Sequence, residues 1–218
     1  LISSFGGNNT IMGYIAAADI TDDTNNVVIG HRAGNALTDS GNVIIGSDAA
    51  RVGTTHSDNV IIGKTAAGNG ALTSDGNVII GMQAGLAKTS GGSNVFLGYQ
   101  GIGVSALNGP INGGEFNVAI GNNSLDALTS GDLNTAVGYA AGGALTTGAA
   151  QIFIGANAGA AVTTGGGNIA IGYNALDNAD TESNNLAIGE DALGGAVNGG
   201  EYNVAIGKSS LDALTSGD

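Results

Sequence analysis

Short aliphatic triplets alternate with longer polar, glycine-rich stretches along this chain, at nearly constant spacing. Each triplet is framed by an Asn before it and a Gly after it. The pattern runs Asn9 to Gly13, Asn26 to Gly30, Asn42 to Gly46, Asn59 to Gly63, Asn77 to Gly81 and Asn94 to Gly98. It continues Asn117 to Gly121, Asn134 to Gly138, Gln151 to Gly155, Asn168 to Gly172, Asn185 to Gly189 and Asn203 to Gly207. Successive glycines lie 17, 16, 17, 18, 17, 23, 17, 17, 17, 17 and 18 residues apart. Short apolar runs bounded by turn residues predict strands, and self-similarity at a fixed period predicts a solenoid. The expectation is an all-β solenoid in which residues 1–218 form one continuous array of about twelve coils of ~17 residues. At ~4.8 Å per coil, the rod is expected to be on the order of 55 Å long.

The columns of the repeat carry more detail. Val27, Val43, Val60, Val78, Val95 and Val118 follow the Asn, and Ile29, Ile45, Ile62, Ile80, Leu97 and Ile120 stand two further on. Alternation places these two columns on one face of a strand, and they are expected to be the coil's own core. The residue between them points the other way. It is Ile11, Val28, Ile44, Ile61, Ile79 and Phe96 in the first half, then Ala119, Ala136, Phe153, Ala170, Ala187 and Ala205. Apolar on both faces, the strand must be covered on both, by the other wall of the coil or by another chain. The shrinkage to Ala predicts a packing distance that narrows along the axis. Three residues past the Gly only small residues occur, as at Ala33, Ala66, Ser124, Ala158 and Ala192. That predicts close backbone approach, at a tight corner or near a symmetry axis. Beyond it, Ser124 to Gly131 reads either as one helical turn closed by Gly or as a second short strand.

Asn26, Asn42, Asn59, Asn77, Asn94, Asn117, Asn134, Asn168, Asn185 and Asn203 are expected to stack as a structural amide ladder, with Gln151 keeping the amide where Asn is missing. The Gly after each strand is expected to serve a left-handed turn. The extra residues at about 102–114 form the one clear insertion and carry the single proline. Insertions in solenoids become protruding loops, so Leu107, Asn108, Pro110 and Asn112 are the candidate recognition loop. A larger duplication is also visible: Gly113 to Gly121 recurs as Gly199 to Gly207, and Ser124 to Asp132 recurs intact as Ser210 to Asp218. Because the chain stops inside a repeat, it reads as an internal piece of a longer protein.

Composition narrows the classes. Glycine supplies 41 of 218 residues, but not every third one, which excludes collagen. There is no cysteine, hence no disulfide or thiolate metal site. No apolar run is long enough to insert into a membrane. Net charge is −13, and between Thr89 and Gly207 there are nine acids and no Lys or Arg. Repulsion therefore disfavours nucleic acid and anionic membranes as partners.

Asn-Val-Ala-Ile-Gly followed by a small residue three positions on, as in Asn117 to Ser124, resembles the head repeat of YadA-like trimeric autotransporter adhesins. That family's repeat is shorter, near fourteen residues, so the likeness covers the strand and the first corner. The segments Asn134 to Ala141 and Asn168 to Leu176 are similar to the longer repeats of phage tail fibres. The resemblance implies a left-handed β-roll packed as a parallel homotrimer, on a virion surface or otherwise extracellular. It implies a structural and adhesive role, with rigidity from stacking and host attachment to a cell-surface glycan or protein receptor. The alternative within this class is a bacterial adhesin head.

Candidate chemistry is sparse, and no enzyme or cofactor is expected. His31 and His56 occupy unlike positions of the repeat. A trimeric β-helix acyltransferase needs hexapeptide periodicity and an interface histidine, and neither is present in the pattern. An ice-binding solenoid needs a regular threonine ladder, whereas Thr38, Thr73, Thr129, Thr146, Thr163 and Thr215 recur with gaps. Calcium is the least implausible ligand, because Asp39, Asp58, Asp75, Glu115, Asp132, Glu182 and Glu201 precede strands at similar turn positions. Tyr14, Tyr99, Tyr139 and Tyr173 each follow a strand Gly and form one lateral line able to stack on sugar rings.

Overall fold

The computed structural model describes residues 7–52, 57–69, 72–86, 90–99, 114–195 and 199–214. These residues form two compact units, Leu1–Gly114 and Glu115–Asp218. Each unit is an all-β parallel solenoid. The N-terminal unit holds β1 (Thr10–Met12), β2 (Val27–Ile29), β3 (Val43–Ile45), β4 (Val60–Ile62), β5 (Val78–Ile80) and β6 (Val95–Leu97). The C-terminal unit holds β7 (Val118–Ile120), β8 (Thr135–Val137), β9 (Ile152–Ile154), β10 (Ile169–Ile171), β11 (Leu186–Ile188) and β12 (Val204–Ile206). Within each unit, successive strands pair in parallel and in exact repeat register, so Val28 lies beside Ile44 and Ala170 beside Ala187. No helix occurs among the described residues. The segment after the first corner, read as helical turn or strand, is a run of turns instead.

The strand's inner face is the reverse of the one the aliphatic columns predict. The middle residues are the buried ones: Val28, Ile44, Ile61, Ile79, Ala136, Phe153 and Ala170 are fully covered. The flanking residues, such as Val27 and Ile29, are only half-covered. The Asn sets the parity. Its side chain is inside, fully buried at Asn42, Asn59 and Asn134. Side chains alternate, so the residue two after the Asn also points in and its neighbours point out. Leu37, Leu72, Leu128, Leu145 and Val162 complete the interior from the opposite wall.

The small column belongs to the corner. Ala33, Ala49, Ala66, Ala141, Ala158 and Ala175 are fully buried inside their own coils. In the turns, residues two and four past the Gly alternate into the left-handed region, as at Thr65 (φ 54) and Ala67 (φ 47). Each such residue costs about 1–2 kcal/mol without glycine. Coil-to-coil hydrogen bonds offset that cost: Thr65 N donates to Ser47 O at 2.9 Å and Ala67 N to Ala84 O at 2.9 Å. The strand-end glycines have a different reason. Gly155 has φ 131, and a Cβ there would sit 2.4 Å from the Gly172 carbonyl oxygen. Gly46 has φ 138 and the same 2.4 Å approach to Gly63. These positions exclude side chains by conformation and by contact at once.

The interior does not narrow from bulky to Ala strands. Beside the strand residues Ala119, Ala170 and Ala187, the residue four past the Gly is Leu, and Leu125, Leu176 and Leu193 are fully buried. Ala136 is the exception, with Gly142 there and Phe153 and Leu125 of the neighbouring coils in its space. Beside Ile44, Ile61, Ile79 and Phe153, that position is Ala50, Ala67, Gly85 and Gly159. A Cβ at Gly159 would lie 2.5 Å from Phe153 Cε1, and one at Gly142 2.7 Å from Phe153 Cδ2 and 2.9 Å from Leu125 Cδ2. The two positions face each other across the coil and share one volume.

Candidate functional site

The amide ladder has a definite geometry. The Asn59 backbone N–H donates to Asn42 Oδ1 at 3.1 Å, Asn77 N–H to Asn59 Oδ1 at 2.9 Å, and Asn134 N–H to Asn117 Oδ1 at 2.9 Å. The same relation joins Asn26 with Asn42, Asn77 with Asn94, Asn168 with Asn185, and Asn185 with Asn203. In the C-terminal unit the Nδ2 group donates forward to a carbonyl of the next coil: Asn134 to Gly148 O at 3.0 Å, Asn168 to Glu182 O at 2.8 Å. Gln151 takes the same part, accepting from the Asn168 N–H at 2.9 Å and donating to Gly165 O. Each of these C-terminal amides thus fixes two backbone groups of the coil above it, at about 1 kcal/mol net per bond. In the N-terminal unit, Asn42 and Asn59 Nδ2 instead donate to Ser40 O and Ser57 O of their own turn and to the preceding Asn Oδ1. These residues are structural staples, fully paired and turned away from any ligand.

The outward strand residues form the candidate functional surface. In every strand the residues on either side of the buried middle one are half-covered or exposed, Ile154 reaching 39% and Ile206 65%. They are Val, Ile, Leu or Met throughout except Thr10 and Thr135. No charged residue interrupts these two columns in either unit. Twelve positions per unit, aliphatic at all but one in each, make one contiguous apolar strip, the kind of exposed surface that marks interaction sites when it runs beyond a few hundred Å². The reading of the middle column as the surface to be covered is therefore corrected: the surface lies on the other face.

The remaining candidates fall in place individually. Leu107, Asn108, Pro110 and Asn112 lie outside the described residues, as do His56 and Thr215. His31 stacks on Tyr14 with centroids 5.6 Å apart and planes at 8°. The acids before the strands cap neighbouring coils. Asp75 accepts from the Ser57 N–H at 2.7 Å, Asp132 from the Glu115 N–H at 2.8 Å, and buried Glu182 from the N–H groups of Asp180, Thr181 and Gly199. Among the described residues, no group of three or more His, Cys, Asp or Glu is placed to hold a metal ion. Thr129 and Thr146 direct their hydroxyls to carbonyls of the next coil at 2.9 Å, which spends the donors that an ice-facing ladder would present.

One open cleft of ≈ 310 Å³ lies in the C-terminal unit, lined by Asp177, Asn178, Asp191, Gly194, Gly195 and Asp212. Partial burial raises the Asp177 pKa above its ordinary value; a backbone hydrogen bond opposes the rise and nearby Asp191 adds to it. Three like charges around one cleft hold no nucleophile–base pair and disfavour anionic ligands. Lys208 is raised by its 2.9 Å hydrogen bond to Glu190, on the exposed surface.

The fold class is thus a parallel β-solenoid with an inward amide ladder and an outward aliphatic face. No protein-family profile, no curated protein and no solved structure matches the chain.

Proposed function

We propose that this chain is a structural and adhesive segment of a trimeric extracellular fibre, a shaft or head of a phage tail fibre or similar surface fibre. The observation that carries the reading is the outward aliphatic face, two columns wide and free of charge in both units. A soluble chain with net charge −13 has the means to make that face polar, as strand positions elsewhere in proteins commonly are. Closed, symmetric self-association covers such a face at every coil with the same residues. The likeness of Asn134 to Ala141 and of Asn168 to Leu176 to fibre repeats supports a parallel trimer and a left-handed roll. In this reading stacked coils and packed chains give stiffness, and receptor contact lies on loops.

Sedimentation velocity with the intact chain tests it. The expected particle is elongated and has three times the 21.0 kDa chain mass. A compact folded monomer would remove both the trimer and the fibre.

A further inference from the structure

The lateral tyrosine line contains a gap that its neighbours define. Asn157 N–H donates to Tyr139 O at 2.8 Å, Asn174 N–H to Ala156 O at 3.1 Å, and Asp191 N–H to Tyr173 O at 3.0 Å. Tyr139, Ala156 and Tyr173 therefore occupy the same place in three successive coils, held in register by β8, β9 and β10. Tyr139 and Tyr173 are 58% and 53% exposed, and no ring contact between them and another side chain is present among the described residues. One coil step is roughly 4.8 Å, which places the two side chains about 9.6 Å apart at their roots. The first step of the same column shows how rings arrange there, since Tyr14 and His31 stack nearly parallel one coil apart. Ala156 leaves out the middle ring of a three-ring stack.

We propose that this gap is a binding slot for one neutral hexopyranose ring. A ring seated over Ala156 lies roughly 4.8 Å from each tyrosine, inside the ~4.5–7 Å range at which ring faces pair. Beside the slot runs a second amide ladder. Asn157 Nδ2 donates to Asn174 Oδ1 at 3.1 Å, and Asn174 Nδ2 to Asp191 Oδ1 at 3.2 Å. Each amide spends one of its two N–H donors in the ladder, which leaves a second donor for a ring hydroxyl. The charge selects the sugar. Glu190 in the next coil is paired with Lys208 Nζ at 2.9 Å, but Asp191 beside it carries no such partner among the described residues. No Lys or Arg occurs between Thr89 and Gly207, so carboxylated or phosphorylated sugars are disfavoured. The slot lies within one chain and does not need the trimer; its role in host attachment rests on the fibre reading.

Saturation-transfer NMR on the intact protein tests the slot, with the methyl glycosides of glucose, galactose and mannose as probes and N-acetylneuraminic acid as the charged comparator. The expected result is transfer to the ring C–H protons of at least one neutral glycoside and none to the acid. Ala156→Tyr fills the slot and is expected to weaken the signal about tenfold with unchanged circular dichroism. Tyr139→Ala and Tyr173→Ala are expected to weaken it similarly, and Tyr14→Ala to leave it intact. No transfer to any neutral glycoside at millimolar concentration would overturn the proposal, as would an undiminished signal in Ala156→Tyr. A trimer without sugar binding would leave the fibre reading standing and remove the slot alone.

Discussion

The two units solve one packing problem in opposite ways. In the N-terminal unit the strand brings the bulk, Ile44 and Ile61, and the facing turn brings Ala50 and Ala67. In the C-terminal unit most strands bring Ala, such as Ala170 and Ala187, and the turn brings Leu176 and Leu193. Phe153 with Gly159 is the coil there that keeps the bulky-strand arrangement. Interior volume is therefore negotiable between walls, as close packing allows when the sum is kept. The outward columns are not negotiated. They stay Val, Ile, Leu or Met through both units, save Thr10 and Thr135, whichever wall fills the inside. A coil's own folding does not demand this, because these residues face away from its core. The contrast points to a second surface that the outer face must fit.

Phe153 offers the largest test of the exchange. Its ring fills space left by Gly142 and Gly159, so Phe153→Ala is expected to lower stability by about 3–5 kcal/mol in urea unfolding. Gly159→Leu alone is expected to destabilise, because its side chain would meet the ring. The double variant recreates the Ala–Leu pairing of Ala170 with Leu176, and it is expected to recover at least half of the loss. Additive effects of the two changes would break the shared-volume account.

Both units share the backbone N–H to side-chain oxygen half of the ladder, so loss of that half is expected to be alike in each. Asn134→Leu leaves Gly148 O and the Gln151 N–H buried without partners, at about 2–4 kcal/mol. Gln151→Asn is expected to be nearly neutral, because the amide is retained. The smallest effect belongs to the C-terminal unit. A carboxyl whose folded pKa is raised favours the folded state while protonated, and that contribution fades as pH rises through the folded pKa. Asp177 is such a group, so Asp177→Asn is expected to flatten a slight fall in stability above pH ~4. An unchanged slope in a pH series of urea midpoints would contradict it.

The period, the strand positions and the amide ladder were legible in the sequence, since a twelvefold pattern repeats each signal independently. The inner face was not read correctly, because bulk and strictness pointed to the residues flanking the middle one. The deciding signal was present all the same. An Asn ladder that satisfies backbone groups must turn inward, and alternation then carries the residue two further on inward with it. The apparent narrowing toward Ala failed for a related reason. The compensating Leu125, Leu176 and Leu193 sit across the coil in left-handed turns (φ 49, 54 and 50), where local propensity predicts no large side chain. The strand-end glycines were assigned to left-handed turns, whereas their φ of 120–144 and the close approach of the next coil explain them better.

The outer face carries the central claim, and mass in solution tests it most directly. Ile154→Lys with Ile171→Lys places charge on that face while leaving Phe153 and Ala170 inside the coils. Light scattering is expected to give three chain masses for the unaltered protein and a single 21.0 kDa chain for the variant, with circular dichroism preserved. An unaltered protein that is already monomeric, or a variant that remains three-chained, would contradict the account.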